Sequence, residues 1–204
     1  VCVYRYNDHE KNVNEIIKET SSQFEPRKTP HTQRTSAEKQ LFDTDNEALS
    51  ELHMAMREAY HHFYTQVLQC QHFHDFKVTQ SWGIEVNGGG NMHFHSHFMS
   101  SVCSVYYPKY NPEHGGEILL KNPYDSNPGQ LQILLQLGAI IDVVESVPVE
   151  EGDIVVFCGH VPHGVSPYHG QDSRISIATN SIPIPLVGAG GEQAKYLFDV
   201  SVYE

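Results

Sequence analysis

Apolar and polar positions change their period part-way along the chain. Residues 1–6, Val-Cys-Val-Tyr-Arg-Tyr, alternate as a short strand does, and Asn12 to Thr20 has the pattern of a brief helix. The stretch 21–40 is polar, contains Pro26 and Pro30, and reads as a loop. Asp45 or Asn46 can cap the next element. After them Leu49, Leu52, Met56, Ala59, Tyr60, Phe63 and Val67 recur three and four residues apart, which predicts an amphipathic helix to about Gln69. His53, His61 and His62 ride on this helix and read as surface or core histidines, not ligands.

From residue 78 the period falls to two. Val78 to Val86 alternates, and Asn87-Gly-Gly-Gly90 breaks it. Met92–Phe98 and Ser101–Tyr107 follow as strands, then a turn over 111–116 and a strand from Glu117 to Lys121. The insertion 124–138 is mixed and has room for a short helix. Ile140–Val144, Ser146–Val149, Asp153–Cys158 and Ile175–Asn180 are further strands. A helix followed by about eight short strands with Gly and Pro at the turns predicts a mainly β protein, a sandwich or barrel-like jelly roll with the helix outside. No internal repeat is visible.

Composition narrows the class. With 204 residues, 39% hydrophobic and 19% charged, the chain suits one globular domain. No stretch approaches the ~20 apolar residues of a membrane span, because Gln136, Gly138 and Asp142 interrupt the longest, Ile133–Val144. The opening residues lack the basic start and apolar core of a secretory signal, so a soluble, cytoplasmic protein is the expectation. A net charge of −12 disfavours phosphate backbones, and no nucleic-acid partner is expected. Arg27, Lys28 and Arg34 form a small basic group read as a solvated loop. Cys2, Cys70, Cys103 and Cys158 have no Cys-x-x-Cys spacing and read as free thiols.

Fourteen histidines are an excess, and the densest group is Asn91-Met-His-Phe-His-Ser-His97. On a strand, residues two apart share a face, so His93, His95 and His97 project together and have reason to share a cation. About 65 residues on, a turn and an apolar strand, Gly152-Asp-Ile-Val-Val-Phe157, deliver a short loop with His160 and His163, and Arg174 opens the strand after it. A close histidine pair, a distant histidine and an arginine describe an open metal site beside an anion anchor.

These pieces, with Ser104-Val-Tyr-Tyr107, Gly115-Gly-Glu-Ile-Leu119, His163-Gly-Val-Ser-Pro167 and Arg174-Ile-Ser-Ile177, occur in a recognisable order. Over about residues 78–182 the chain resembles the 2-oxoglutarate/Fe(II)-dependent dioxygenase superfamily, in its prolyl-hydroxylase-like branch, and is most similar to small bacterial and phage oxygenases with a His-x-His motif. The resemblance implies a double-stranded β-helix, cupin-like, with N-terminal helices packed outside. It implies a single domain over 1–204: support from 1–77, a core of 78–182 and a C-terminal extension of 183–204. It implies Fe(II), 2-oxoglutarate and O2 as cofactors, and hydroxylation of an unactivated C–H bond of a peptide, a protein side chain or a small molecule, with 2-oxoglutarate decarboxylated to succinate.

By the same resemblance His163 is the distal metal ligand and Arg174 grips the far carboxylate of 2-oxoglutarate. Tyr107 joins that carboxylate or serves the core, and Asn180 looks into the pocket or is structural. The spacing to the Cys103–Tyr107 strand selects His95 and His97 as the other ligands. His93 with His95 is the rival pair, and the spare His93 could support a ligand or touch substrate. His160 is assigned to a loop. One departure stands out: the family's usual third position is Asp or Glu, and here it is histidine. The alternative reading is a cupin-type metal protein, a non-oxidative enzyme or a sensor, which would have no need of Arg174; a third is a catalytically dead binding scaffold.

Overall fold

Two antiparallel sheets face each other, and two helices cover the outside of the larger. The structure, a computed structural model, describes residues 1–26, 33–36, 40–97, 99–122 and 144–185. The strands are β1 (Cys2–Arg5), β2 (Phe24–Pro26), β3 (Gln33–Ser36), β4 (Phe73–Val86), β5 (Met92–His95), β6 (Val102–Lys109), β7 (Ile118–Lys121), β8 (Val144–Ser146), β9 (Asp153–Cys158), β10 (His163–Val165) and β11 (Arg174–Pro185). The helices are α1 (His9–Ser22) and α2 (Glu47–His62). The large sheet runs β1-β9-β6-β11-β4-β3-β2 and the small one β5-β10-β7-β8. Among the described residues no helix is long and apolar enough to cross a membrane.

Of the two possible caps for α2, Asn46 takes the role: its Oδ1 accepts from the Leu49 amide at 3.1 Å. Leu49, Leu52, Met56, Ala59 and Tyr60 form the buried face. A π turn over Phe63–Val67 continues the element, and Gln69, at φ 52°, ends it where the apolar repeat runs out. Helix α1 is longer than predicted at both ends. Three of its four buried positions, His9, Asn12, Ile16 and Thr20, are polar, so apolar spacing underrates it.

Strands β6 and β9 and the first two-thirds of β11 are buried on both faces. Tyr106 of β6, Ile154 and Val156 of β9 and Ile177 of β11 pack outward with Ile16, Leu52, Met56 and Tyr60 of the helices. Their neighbours Cys103, Tyr107, Val155 and Phe157 point inward, into the space shared with Ile118 of the small sheet. Tyr60 ties the layers together: its hydroxyl lies 2.7 Å from Thr179 Oγ1 and donates to the Thr179 carbonyl at 3.0 Å.

Several expectations need correction. The stretch read as a loop over 21–40 contains β2 and β3. These are short strands at one side of the large sheet: β3 pairs with β4 and is tied to it by the Arg34–Glu85 ion pair, and β2 pairs with β3 at the edge, and none of this shows as alternation. Strand β5 stops at His95. Val147 and Val149 are buried without belonging to a strand, because Pro148 between them has no N–H for a ladder. Strand β10 was expected as loop. Strands β4 and β11 exceed their predicted lengths. The predicted features over 124–138 and 140–143, the residues Arg27, Lys28 and Phe98, and the extension from 186 lie outside the described residues. All four cysteines are free; Cys103 is buried and Cys70 exposed.

Candidate metal centre and anion pocket

His95 closes β5, and His163 opens β10 directly across from it in the ladder. Gly164 permits this pairing: a Cβ there would stand 2.7 Å from the Met92 carbonyl oxygen of β5. His97 lies past the end of the strand, where its N–H donates to the Gly159 carbonyl at 2.9 Å and so anchors it to the turn leading into β10. The three rings converge, with centroids 4.4 Å apart for His95–His163, 5.1 Å for His97–His163 and 5.2 Å for His95–His97. One nitrogen from each lies within 4.8 Å of the other two.

The backbone sets the proton positions of two rings. His95 Nδ1 is 3.0 Å from the His93 carbonyl oxygen, and His163 Nδ1 is 3.0 Å from that of Val161. A carbonyl only accepts, so both Nδ1 atoms carry the proton and both Nε2 atoms keep a free lone pair. Burial, aided by His95 and His97 close by, pushes His163 down to about 4 and keeps it neutral, as a metal ligand must be. His93 contributes its carbonyl, but its ring is exposed and stands apart from the other three. His160 is also exposed. Among the described residues no carboxylate joins the group.

The second feature is a buried cation. Arg174, the first residue of β11, is 1% exposed. Its guanidinium lies 5.1 Å from the Tyr107 ring centre and 5.6 Å from that of Tyr110, and Nη1 donates to Ser176 Oγ at 3.2 Å. Arg174 Nε and the Tyr107 hydroxyl are both buried without a hydrogen-bond partner; the two groups are near each other but not in hydrogen-bond geometry. No ion pair to Arg174 occurs among the described residues. Gly116, at φ 74°, lets the chain pass close beneath, since a Cβ would fall 3.0 Å from Arg174 Cδ. A guanidinium stripped of water with no counter-ion is costly, and a carboxylate arriving from solution would relieve that cost. Burial also holds the Tyr107 hydroxyl protonated, pushed up to about 12, so it can donate.

Strand β11 connects the two features. Alternation puts Arg174, Ser176, Ala178 and Asn180 on its inner face, and six residues of strand span about 20 Å. At the far end the Asn180 amide lies 3.3 Å from His97 Nδ1. Periodicity alone did not single out Gln80, which hydrogen-bonds Asn180, or Trp82, whose ring lies 5.9 Å from His97. Phe157, 4.7 Å from His163, was read only as part of an apolar strand. The alternation of β4 places Gln80 and Trp82 on one face, but not which face looks inward.

Residues 80–180 match the family described as "Putative 2OG-Fe(II) oxygenase". The chain belongs to the 2OG-Fe(II) oxygenase superfamily. Iron(II), 2-oxoglutarate and O2 are the cofactors of this oxygenase reaction. Solved structures agree in fold. HygX from Streptomyces hygroscopicus, with nickel, 2-oxoglutarate and hygromycin B bound, is 12% identical with a TM-score of 0.62, over 89% of this chain and 82% of HygX. A Pseudomonas putida prolyl-4-hydroxylase is 16% identical, TM-score 0.61, over 88% and 90%. A Trichoplax adhaerens prolyl hydroxylase in complex with a hypoxia inducible factor peptide fragment is 13% identical, TM-score 0.60, over 89% and 82%. At such identities the likeness speaks for the fold, the double-stranded β-helix of this oxygenase. No curated protein has a significantly similar sequence.

Proposed function

We propose that His95, His97 and His163 hold the iron of this oxygenase and that Arg174, with Tyr107, receives the far carboxylate of 2-oxoglutarate. The reaction assigned is hydroxylation of an unactivated C–H bond, with 2-oxoglutarate decarboxylated to succinate. The observation that carries this reading is the wholly buried Arg174, whose Nε and neighbouring Tyr107 hydroxyl lack partners on the same side of β11 as the histidine group.

The donor set fits the metal: three imidazoles suit ferrous iron and would leave coordination positions open for cosubstrate and gas. Bound iron supplies O2 activation, coupled to loss of carbon dioxide from 2-oxoglutarate. The protein's part is to place and protect. Arg174 offers a rigid two-pronged fork and Tyr107 a neutral donor, so a dicarboxylate is held at its far end and directed along β11 towards the triad. Phe157, itself buried, packs edge-on against His163 and gives that ring apolar cover. Because His95, His97 and His163 bring no negative charge, they would leave the charge of a ferrous ion uncompensated, which would favour the dianionic cosubstrate. The substrate is assigned only to a class, a peptide or protein side chain or a small molecule; among proteins of this fold, one structure holds a peptide fragment and another hygromycin B.

The test is anaerobic reconstitution with Fe(II) and 2-oxoglutarate. A weak visible charge-transfer band is expected from their chelate, absent in the His163→Ala protein and requiring far more 2-oxoglutarate in Arg174→Ala. No band at any ferrous loading would overturn the assignment.

A further inference from the structure

Asn180 is fastened from both sides. It is the cross-strand partner of Gln80 on β4 and of Cys103 on β6. Its Nδ2 donates to Gln80 Oε1 at 2.9 Å, and its Oδ1 accepts from Cys103 Sγ at 3.2 Å. The side chain is 4% exposed, and the β4 ladder shifts register immediately after it. Such a bulge beside a site re-aims a side chain. The same Nδ2, the donating end of the amide as placed, lies 3.3 Å from His97 Nδ1. His95 and His163 have main-chain carbonyls behind their Nδ1 atoms; at His97 a side-chain amide occupies the corresponding place.

That difference matters chemically. With Nδ1 turned to Asn180, the nitrogen left for a metal is Nε2. An Nε2 that gives its lone pair to a metal requires the ring proton on Nδ1, and the group facing Nδ1 must then accept. An amide has an accepting end as well as a donating one, and the two are alike in shape. Gln80 is an amide too. If both turn end for end, Asn180 Oδ1 accepts from His97 Nδ1–H and from Gln80 Nε2, while Asn180 Nδ2 faces the Cys103 sulfur. Every partner named here stays hydrogen-bonded after that turn, so the cradle can present the accepting Oδ1 to His97 Nδ1–H without losing a contact.

We propose that Asn180, clamped between Gln80 and Cys103, is a positioning residue that holds the proton on His97 Nδ1 and thereby presents Nε2 to the metal. This rests on the ligand assignment above. It makes Gln80 a working part of the site: without it the Asn180 amide loses the neighbour that turns with it. Outer partners of metal-bound histidines typically change metal affinity by about 10–100-fold when removed.

The test compares Asn180→Leu, Asn180→Asp and Gln80→Met with the unaltered protein, each first checked by metal-free melting. Co(II) affinity is read anaerobically from its visible bands, and the His97 Nδ1–H proton is sought by 15N-resolved NMR in the Zn(II)-loaded protein. Asn180→Leu should bind Co(II) about 10–100-fold more weakly and lose the exchange-protected proton. Asn180→Asp, which can only accept, should retain both. If Asn180→Leu does not fold, Gln80→Met at a part-exposed position carries the test, with a smaller loss of affinity and faster exchange of the proton. A protected proton and unchanged affinity in Asn180→Leu or Gln80→Met would overturn the proposal, as would equal losses in Asn180→Leu and Asn180→Asp. His95→Ala separates the two readings. Wild-type Co(II) binding there defeats the ligand assignment; loss there with unchanged Asn180 variants defeats this inference alone.

Discussion

A guanidinium buried against Tyr107 and Tyr110 can be replaced by a cation of another shape, and the outcome says what its geometry is for. Lysine keeps the charge of Arg174 but offers a point donor instead of a fork. Arg174→Lys should therefore bind 2-oxoglutarate less tightly by about tenfold to a hundredfold, the value of one or two charge-assisted hydrogen bonds, as titrated in the anaerobic complex. His163 makes a different prediction. Burial lowers it from 6.5 to about 4 in the folded, metal-free protein. Between those pH values the unfolded chain takes up a proton that the folded chain refuses. Stability contributed by neutral His163 is thus fully present above 6.5 and falls as pH drops towards 4, by about 3 kcal/mol at most. Denaturant midpoints of metal-free protein should follow that direction, with a shallower fall in His163→Gln.

At the level of elements, glycine spacing and one tyrosine decide how the layers meet. Gly164→Ala would drive a methyl group into the Met92 carbonyl, part β10 from β5 and move His163 off His95. We expect strongly reduced metal affinity with the large sheet intact by circular dichroism. Tyr60→Phe removes the buried hydroxyl shared with Thr179 and should cost about 1–2 kcal/mol of stability, read as a lower midpoint. Elements whose burial is apolar and regular, such as α2 and β9, were legible along the chain because period and burial coincide there. Strands β2, β3 and β10 were not. They are short; β3 and β10 take their order from neighbours distant in sequence, and β2 in turn pairs with β3. The same cause hid Gln80: a polar residue in an alternating strand looks solvent-facing until the cross-strand partner Asn180 is known. His95, His97 and His163 could be singled out because histidine is rare enough for its spacing to stand out.

For the whole molecule, a site built from both sheets means that ligand binding should stabilise everything at once. At a free-metal concentration about 100 times the dissociation constant, linkage contributes about 2.7 kcal/mol, and for a chain of this size that raises the midpoint by about 5–10 °C. Anaerobic melting with and without Fe(II), reversed by chelator, checks this; a smaller, further rise with 2-oxoglutarate should disappear in Arg174→Ala. The general architecture was readable from the switch in period at residue 78 and the order of motifs after it. The two-sided burial of the large sheet was not, since outward and inward apolar residues merge into one run.

The position of the three histidines has a mechanical side as well. His97 and His163 are 66 residues apart in the chain, and an ion held between them would close that length into a ring. A cross-link of this kind takes freedom from the unfolded chain as a disulfide does, although here it can be undone by a chelator or by acid. Among the described residues β5 stands at one edge of the small sheet, and His97, one end of that ring, follows directly after it. A protease cut between residues 97 and 163 would then leave two pieces pinned through the ion as well as through the sheets, so the metal would act as a second clasp beside the ladder of β5 with β10.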